Sequence, residues 1–293
     1  CFMLAVIGYA GSLVFYNSYV PEIAVPEDRD KVSARGFMMG YIGSVILQVI
    51  GFGLVLYYMS KGDKTSGPLI TFLLVGIWWM GFAQITFRWL PKGNGSVEKQ
   101  GTNFLTSGFK ELAKVWRQVM KLNVLNWYLA AFFFYSMGVQ TVMLAATMFG
   151  SKMLGLPTNK LIITVVLIQL VAIFGAFLMS RLSGLYGNLS VLMSVVLVWI
   201  ILCGSAYGIA TLKENGEEVE FYFYWLATGV GLVMGGIQSL SRSTYSKLMP
   251  VTRDTASFFS FYDVTEKVAI VIGIFTFGYI DEALGMKNSV LAL

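Results

Sequence analysis

The chain has 293 residues, of which 56% are hydrophobic and only 13% charged, and its mean hydropathy is +0.69. A water-soluble chain carries about twice that charge fraction, so the composition points to an integral membrane protein. It has no histidine and two cysteines, Cys1 and Cys203, both inside apolar runs, which argues against a histidine-based metal or acid–base site and against a disulfide framework.

A bilayer core of about 30 Å needs about 20 apolar residues in a helix. Eight stretches qualify, roughly 1–20, 37–59, 69–90, 124–150, 160–180, 189–211, 221–246 and 258–280, so the expected fold is all-α and membrane-embedded. The chain starts inside an apolar run at Cys1, and another such run begins at Asn288, so a fragment of a longer protein is expected.

The loop after the first stretch, Pro26 to Ser33, reads P-x-x-R-D-x-x-S. The same pattern returns 224 residues later from Pro250 to Ser257, after the seventh stretch. A repeat at that spacing suggests two related halves, and six intervening spans put both copies on one side of the membrane. That side gathers fourteen Lys and Arg, among them Arg29, Lys110, Lys114, Arg117, Lys121, Arg242, Lys247 and Arg253. The other side gathers six. The positive-inside rule makes the richer side cytoplasmic and accounts for the net charge of +5 without a nucleic-acid partner. The expected location is a bacterial inner membrane, with the sequons at Asn94 and Asn188 unglycosylated.

The third and fourth stretches are joined by a long loop, 91–122. It opens with a flexible Gly- and Asn-containing piece, after which Phe109, Leu112, Trp116 and Val119 recur at steps of three and four beside Lys110, Lys114, Arg117 and Lys121. This predicts an amphipathic helix suited to a membrane surface. The loop divides the chain into 1–90, the end of an N-terminal helical half, a linker, and 123–293, a C-terminal half. With six spans in each half, the eight here count as the fourth to the eleventh of twelve.

The eighth stretch holds three ionisable residues, Asp263, Glu266 and Lys267. At about 1.5 Å per residue, Asp263 lies about 8 Å and Lys267 about 14 Å into the bilayer. An isolated charge at that depth costs about 2.5–3.5 kcal/mol. Spacing of three and four puts the three on one side of the helix and lets Asp263 pair with Lys267. They are therefore candidates for a substrate or proton-coupling site, or else an interhelical ion pair.

Gln140, Thr141 and Gln238 are polar candidates for the same cavity, or for hydrogen bonds across packed helices. Arg29, Asp30, Arg242, Arg253 and Asp254 are gate candidates, as ion pairs between the halves that break on opening. The alternative is local, with Asp30 and Asp254 capping the helices that follow. Gly36, Gly40, Gly231 and Gly235 recur at four-residue steps and are expected to let helices approach closely. The common catalytic motifs do not occur, so an enzyme is not expected and no cofactor is called for.

Two blocks carry a family resemblance: Phe15 to Ala24 with Pro26 to Gly36 and Gly40-Tyr-Ile-Gly43, and Gly235 to Ser243 with Pro250 and Phe258 to Tyr262. They resemble the vacuole-effluxer branch, the autophagy-related amino-acid effluxers, of the major facilitator superfamily. The resemblance implies a bundle of six plus six helices and a monomeric secondary transporter working by alternating access, with a small-molecule substrate, possible amino-acid export and a coupling proton. A lipid or lysolipid transporter of the same fold and a transport-inactive scaffold stay open. Two positions depart from the pattern. Gly184 stands where the superfamily's loop carries an acid, and Met137 stands in an acidic position of the seventh-span motif.

Overall fold

The structure, a computed structural model, describes residues 2–90, 104–252 and 254–292. Eleven α-helices follow one another among these residues: α1 Phe2–Ser18, the short α2 Val20–Ile23, α3 Arg29–Ser60, α4 Ser66–Trp89, α5 Phe104–Val119, α6 Asn123–Met148, α7 Thr158–Tyr186, α8 Asn188–Glu214, α9 Glu220–Leu248, α10 Thr255–Leu284 and α11 Met286–Leu291. A 3₁₀ turn over Pro26–Asp28 leads into α3, and a π-turn over Phe149–Met153 ends α6. The long helices outrun the apolar stretches because polar flanks continue them: α3 opens at Arg29, eight residues before its apolar run.

Among the described residues, seven stretches are long and apolar enough to cross a membrane: Met3–Ile23, Pro26–Ser60, Ser66–Trp89, Asn123–Met153, Thr158–Tyr186, Asn188–Glu214 and Glu220–Leu248. The chain is a multi-pass membrane protein. The eighth expected span, α10, is as long at 30 residues. It is as apolar as several of the seven, and what sets it apart is the charge spread along it, Asp263, Glu266 and Lys267 with Asp281 and Glu282 near its end. Large side chains point outward along the helices, as on α4 with Phe72, Trp79, Phe82 and Trp89. In a hydrocarbon solvent such a surface needs no cover.

By chain order, the helices before α5, α1 to α4, are the N-terminal group and those after it, α6 to α11, the C-terminal group. The seam between them runs where α3 packs on α7 and α9, and where α1 packs on α10. Helix α9 is the hub, with almost every residue from Val233 to Ser246 buried.

Its tight packing on α7 comes from missing side chains. A Cβ on Gly235 would strike the Ala172 carbonyl, one on Gly175 the Leu232 carbonyl, and one on Gly231 the Ile168 carbonyl. Lipid supplies no hydrophobic drive between helices, so association relies on such close backbone contact. Gly36 leaves room for the Arg242 guanidinium, whereas Gly40 faces open space and plays no part in packing.

Around α9, at the end where that helix finishes, Tyr128, Phe132, Val195, Ile237, Leu240, Tyr245, Phe259 and Tyr262 form the main apolar core. The Phe132 and Tyr262 rings stack at 4.3 Å, and the Tyr245 hydroxyl donates to the Phe258 carbonyl at 2.6 Å. This core also takes Val115 and Val119 of α5.

The expected amphipathic helix is thus present, but its apolar arc is divided. Val115 and Val119 are buried in protein, while Phe109 and Trp116 stay exposed.

Replacing Gly235 by Ala should force α7 and α9 apart and lower stability by about 1–3 kcal/mol, the usual range for overpacking. The same change at Gly40 should be nearly silent. Thermal unfolding of the purified protein in detergent distinguishes the two.

Candidate functional site

The site begins with a one-residue turn. Gly187 joins α7 to α8 with φ +84°, a conformation that a side chain disfavours. The sharp reversal makes Asn188 the first residue of α8 and sets its side chain beside Ser183, on the last turn of α7. Into this corner α3 inserts Asp30 from the other helix group.

Asp30 is buried. Its Oδ2 accepts from Lys247 Nζ at 2.7 Å and from Ser183 Oγ at 3.0 Å, and its Oδ1 accepts from Asn188 Nδ2 at 2.6 Å. Lys247 also donates to Asn188 Oδ1 at 2.9 Å. Removing a carboxylate from water costs several kcal/mol, which only close charge and well-made hydrogen bonds offset. Every one of these donors comes from the C-terminal group, so Asp30 is compensated only while the groups are together.

Arg242 crosses the seam in the opposite direction. It is 3% exposed, and its Nε and Nη2 donate to the Oγ and the carbonyl of Ser33 at 2.9 and 2.8 Å. Its Nη1 donates to Asn17 Oδ1 at 3.0 Å. The guanidinium lies over the Tyr16 and Phe37 rings at 5.1 and 4.5 Å, with no carboxylate within ion-pair distance among the described residues. Ring faces and carbonyl dipoles hold this cation.

Further cross-seam bonds line up beside these. Arg29 donates to the Ser246 carbonyl at 2.6 Å, Ser33 to the Ser239 carbonyl at 2.7 Å, and Thr255 to Glu22 at 2.6 Å. Deeper along α3, Tyr41 donates to Gln238 Oε1 at 2.6 Å and Gln169 donates to Gln48 at 2.8 Å. At the opposite end of the bundle, Lys160 pairs with Glu220 and Lys287 with Glu214, both within the C-terminal group.

The two copies of the repeated motif therefore do different work. Asp254 caps α10, accepting from the Ser257 amide at 3.4 Å. Asp30 caps nothing: α3 starts one residue before it, so its side chain is free to turn across the seam. Arg253 lies outside the described residues.

The ionisable trio of α10 assembles with one change of partner. Lys267 donates to its neighbour Glu266 at 2.9 Å, while the expected i,i+4 contact with Asp263 is longer, at 3.9 Å. Gln140 of α6 joins them, donating to Glu266 Oε1 at 2.9 Å. Thr141 points elsewhere: it is buried beside Gly273, and its hydroxyl has no partner among the described residues.

A separate, mostly apolar cavity of about 260 Å³ lies among Tyr41, Val142, Gln169, Trp199, Cys203 and Met234. Gln169 Oε1 and Trp199 Nε1 lack partners there among the described residues. The cavity can take an apolar group and offers it one acceptor and one donor.

The chain matches the family model described as vacuole effluxer Atg22 like over residues 1–292. It belongs to the Atg22-like vacuole effluxer family. Among its relatives, the uncharacterized MFS-type transporter YxiO of Bacillus subtilis is 28% identical over 93% of this chain and 61% of its own length. Autophagy-related protein 22-1 of Aspergillus niger is 29% identical over 87% of this chain and 43% of its own length. Autophagy-related protein 22-2 of Aspergillus oryzae is 31% identical over 88% and 46%. The chain thus spans about half the length of these relatives.

In this Atg22-like chain Gly184, where an acid is expected, is exposed and faces open space, while its neighbour Ser183 is buried and donates to Asp30. The sequence reading missed Lys247, Ser183 and Asn188 as partners of Asp30. No local signal marks them, since Lys247 counts as one more topology cation and Asn188 as a sequon.

Replacing Lys247 by Met should leave Asp30 buried without its cation, a loss of about 3–5 kcal/mol. Adding Asp30→Asn should recover part of it. Detergent melting temperatures of the two single variants and the double variant test the coupling, and strictly additive losses would contradict it.

Proposed function

We propose that the chain carries the moving core of a secondary transporter of small solutes that works by alternating access. The observation supporting this most directly is the chemistry of the seam. The two helix groups meet through buried charge and hydrogen bonds, concentrated at one end and continued deeper by Tyr41–Gln238 and Gln169–Gln48, of which the Asp30–Lys247 pair at 2.7 Å is the strongest. A permanent membrane interface is served by small residues in close contact, as α7 and α9 are; a polar seam can exchange its bonds for water when it parts.

In this reading α1, α3 and α4 are the fourth to sixth of twelve spans, 91–122 is the interdomain linker, and α6 to α10 are the seventh to eleventh. The Lys- and Arg-rich end faces the cytoplasm of a bacterial cell, and the conformation described is closed there. The protein acts as a monomer. Glu266, Lys267 and Asp263, with Gln140, form the solute or proton-coupling site. Lys267 attracts a carboxylate and the acids attract an ammonium group, which suits a zwitterion. The family description favours efflux, and the paired charges of the site suit amino acids as the cargo.

Flux of labelled amino acids into and out of proteoliposomes under an imposed proton gradient tests this. Lys267→Ala and Glu266→Gln should each reduce flux at least about tenfold, since each leaves a charge uncompensated in the low-dielectric interior. Unchanged flux in both variants would sink the assignment of the site.

A further inference from the structure

We propose that α5 is an interfacial helix that binds the anionic phospholipid headgroups of the leaflet at the Lys- and Arg-rich end of the bundle. This goes beyond the transport reading and does not depend on it.

At about 100° per residue, the side chains of α5 divide its circumference into three arcs. The first, Leu112, Val115 and Val119, turns inward, with Val115 and Val119 buried in the protein core. The second continues the apolar surface without a break through Trp116, Phe109 and Met120, yet these are 50%, 76% and 42% exposed. The third, bordering the exposed apolar arc directly, holds Lys110, Lys114, Arg117 and, two residues past the helix end, Lys121. The acid on that helix, Glu111, is paired with Lys114 at 2.9 Å.

Three observations choose lipid as the occupant. Only the three residues Met120, Lys121 and Leu122 separate α5 from α6, and α6 is a membrane-crossing helix. The end of α5 is therefore held at the level where the chain enters the bilayer. Trp127, at the start of the second turn of α6, is 76% exposed, as expected of an aromatic at the headgroup boundary. The basic arc also complements the phosphate of an anionic leaflet, while the adjacent aromatic and Met side chains suit insertion just below it.

The helix is also tied to the functional core. Trp116 meets Phe261 edge-on at 5.7 Å, and Phe261 lies two residues before Asp263. Lipid contact at α5 thus bears on the packing of α10.

The test uses the whole chain with Cys1 and Cys203 replaced by Ser and a spin label at Ala113→Cys, an exposed position between the apolar and basic arcs. The protein is reconstituted in phosphatidylcholine vesicles with or without phosphatidylglycerol. The expected result is that collision with oxygen rises and collision with a water-soluble nickel chelate falls when phosphatidylglycerol is present. That gain should be lost in the combined variant Lys110→Gln, Lys114→Gln, Arg117→Gln, Lys121→Gln.

High salt should also reduce it, because screening acts on exposed charges. A label equally open to nickel in both vesicle types, as a docking face for a soluble protein would give, overturns the proposal. So does a gain that survives the fourfold variant. The comparison between vesicle types stands even if that variant fails to fold.

Discussion

A carboxylate taken out of water must find its compensation within a few ångströms, and Asp30 finds none in its own helix group. Lys247, Ser183 and Asn188, which satisfy it, all belong to the other group. This one requirement explains several local choices at once. The Gly187 turn must be sharp so that Asn188 and Ser183 face the same corner. The last turn of α9 must reach that corner with Lys247, which requires α9 to lie close along α7. That in turn requires Gly231, Gly235 and Gly175 at the crossing. The apolar core beneath, with Tyr245 and Tyr262 packed at 4.8 Å, fixes the end of α9 against the start of α10.

The repeated motif separates likeness of sequence from likeness of use. Both copies keep Arg, Asp and Ser in the same order, yet one Asp terminates a helix and the other crosses a seam. The difference lies in the preceding turn. Asp254 stands just ahead of α10 and its carboxylate finds the free Ser257 amide. At the first copy the 3₁₀ turn Pro26–Asp28 carries the helical path one step earlier, so Asp30 is already inside α3. A shift of two residues in where a helix begins is enough to redirect a buried charge.

Much of the architecture was legible because period and length are local properties. The apolar runs located the helices, and the three- and four-residue spacing of Phe109, Leu112, Trp116 and Val119 located α5. Closeness between residues far apart in the chain was much less legible. Nothing near Gly40 distinguishes it from Gly36, yet one faces open space and the other makes way for a guanidinium. Likewise Lys267 sits at the right spacing for Asp263 but bonds its immediate neighbour more closely, because Gln140 of another helix holds Glu266 in place. Pairing across the seam depends on how the groups dock, which no short window of sequence encodes.

The cation of Arg242 adds one more element. It is buried on ring faces, a hydroxyl and two oxygen acceptors, with no anion beside it among the described residues. Were the seam to part, its loss of aromatic contact would be opposed by the hydration that a guanidinium recovers on reaching water. Asp30 and Lys247 would face the same opposition, since each would regain a solvent shell as their mutual attraction is lost. A joint of such groups would regain, as hydration, part of what breaking it costs, whereas an apolar joint of the same size would regain none.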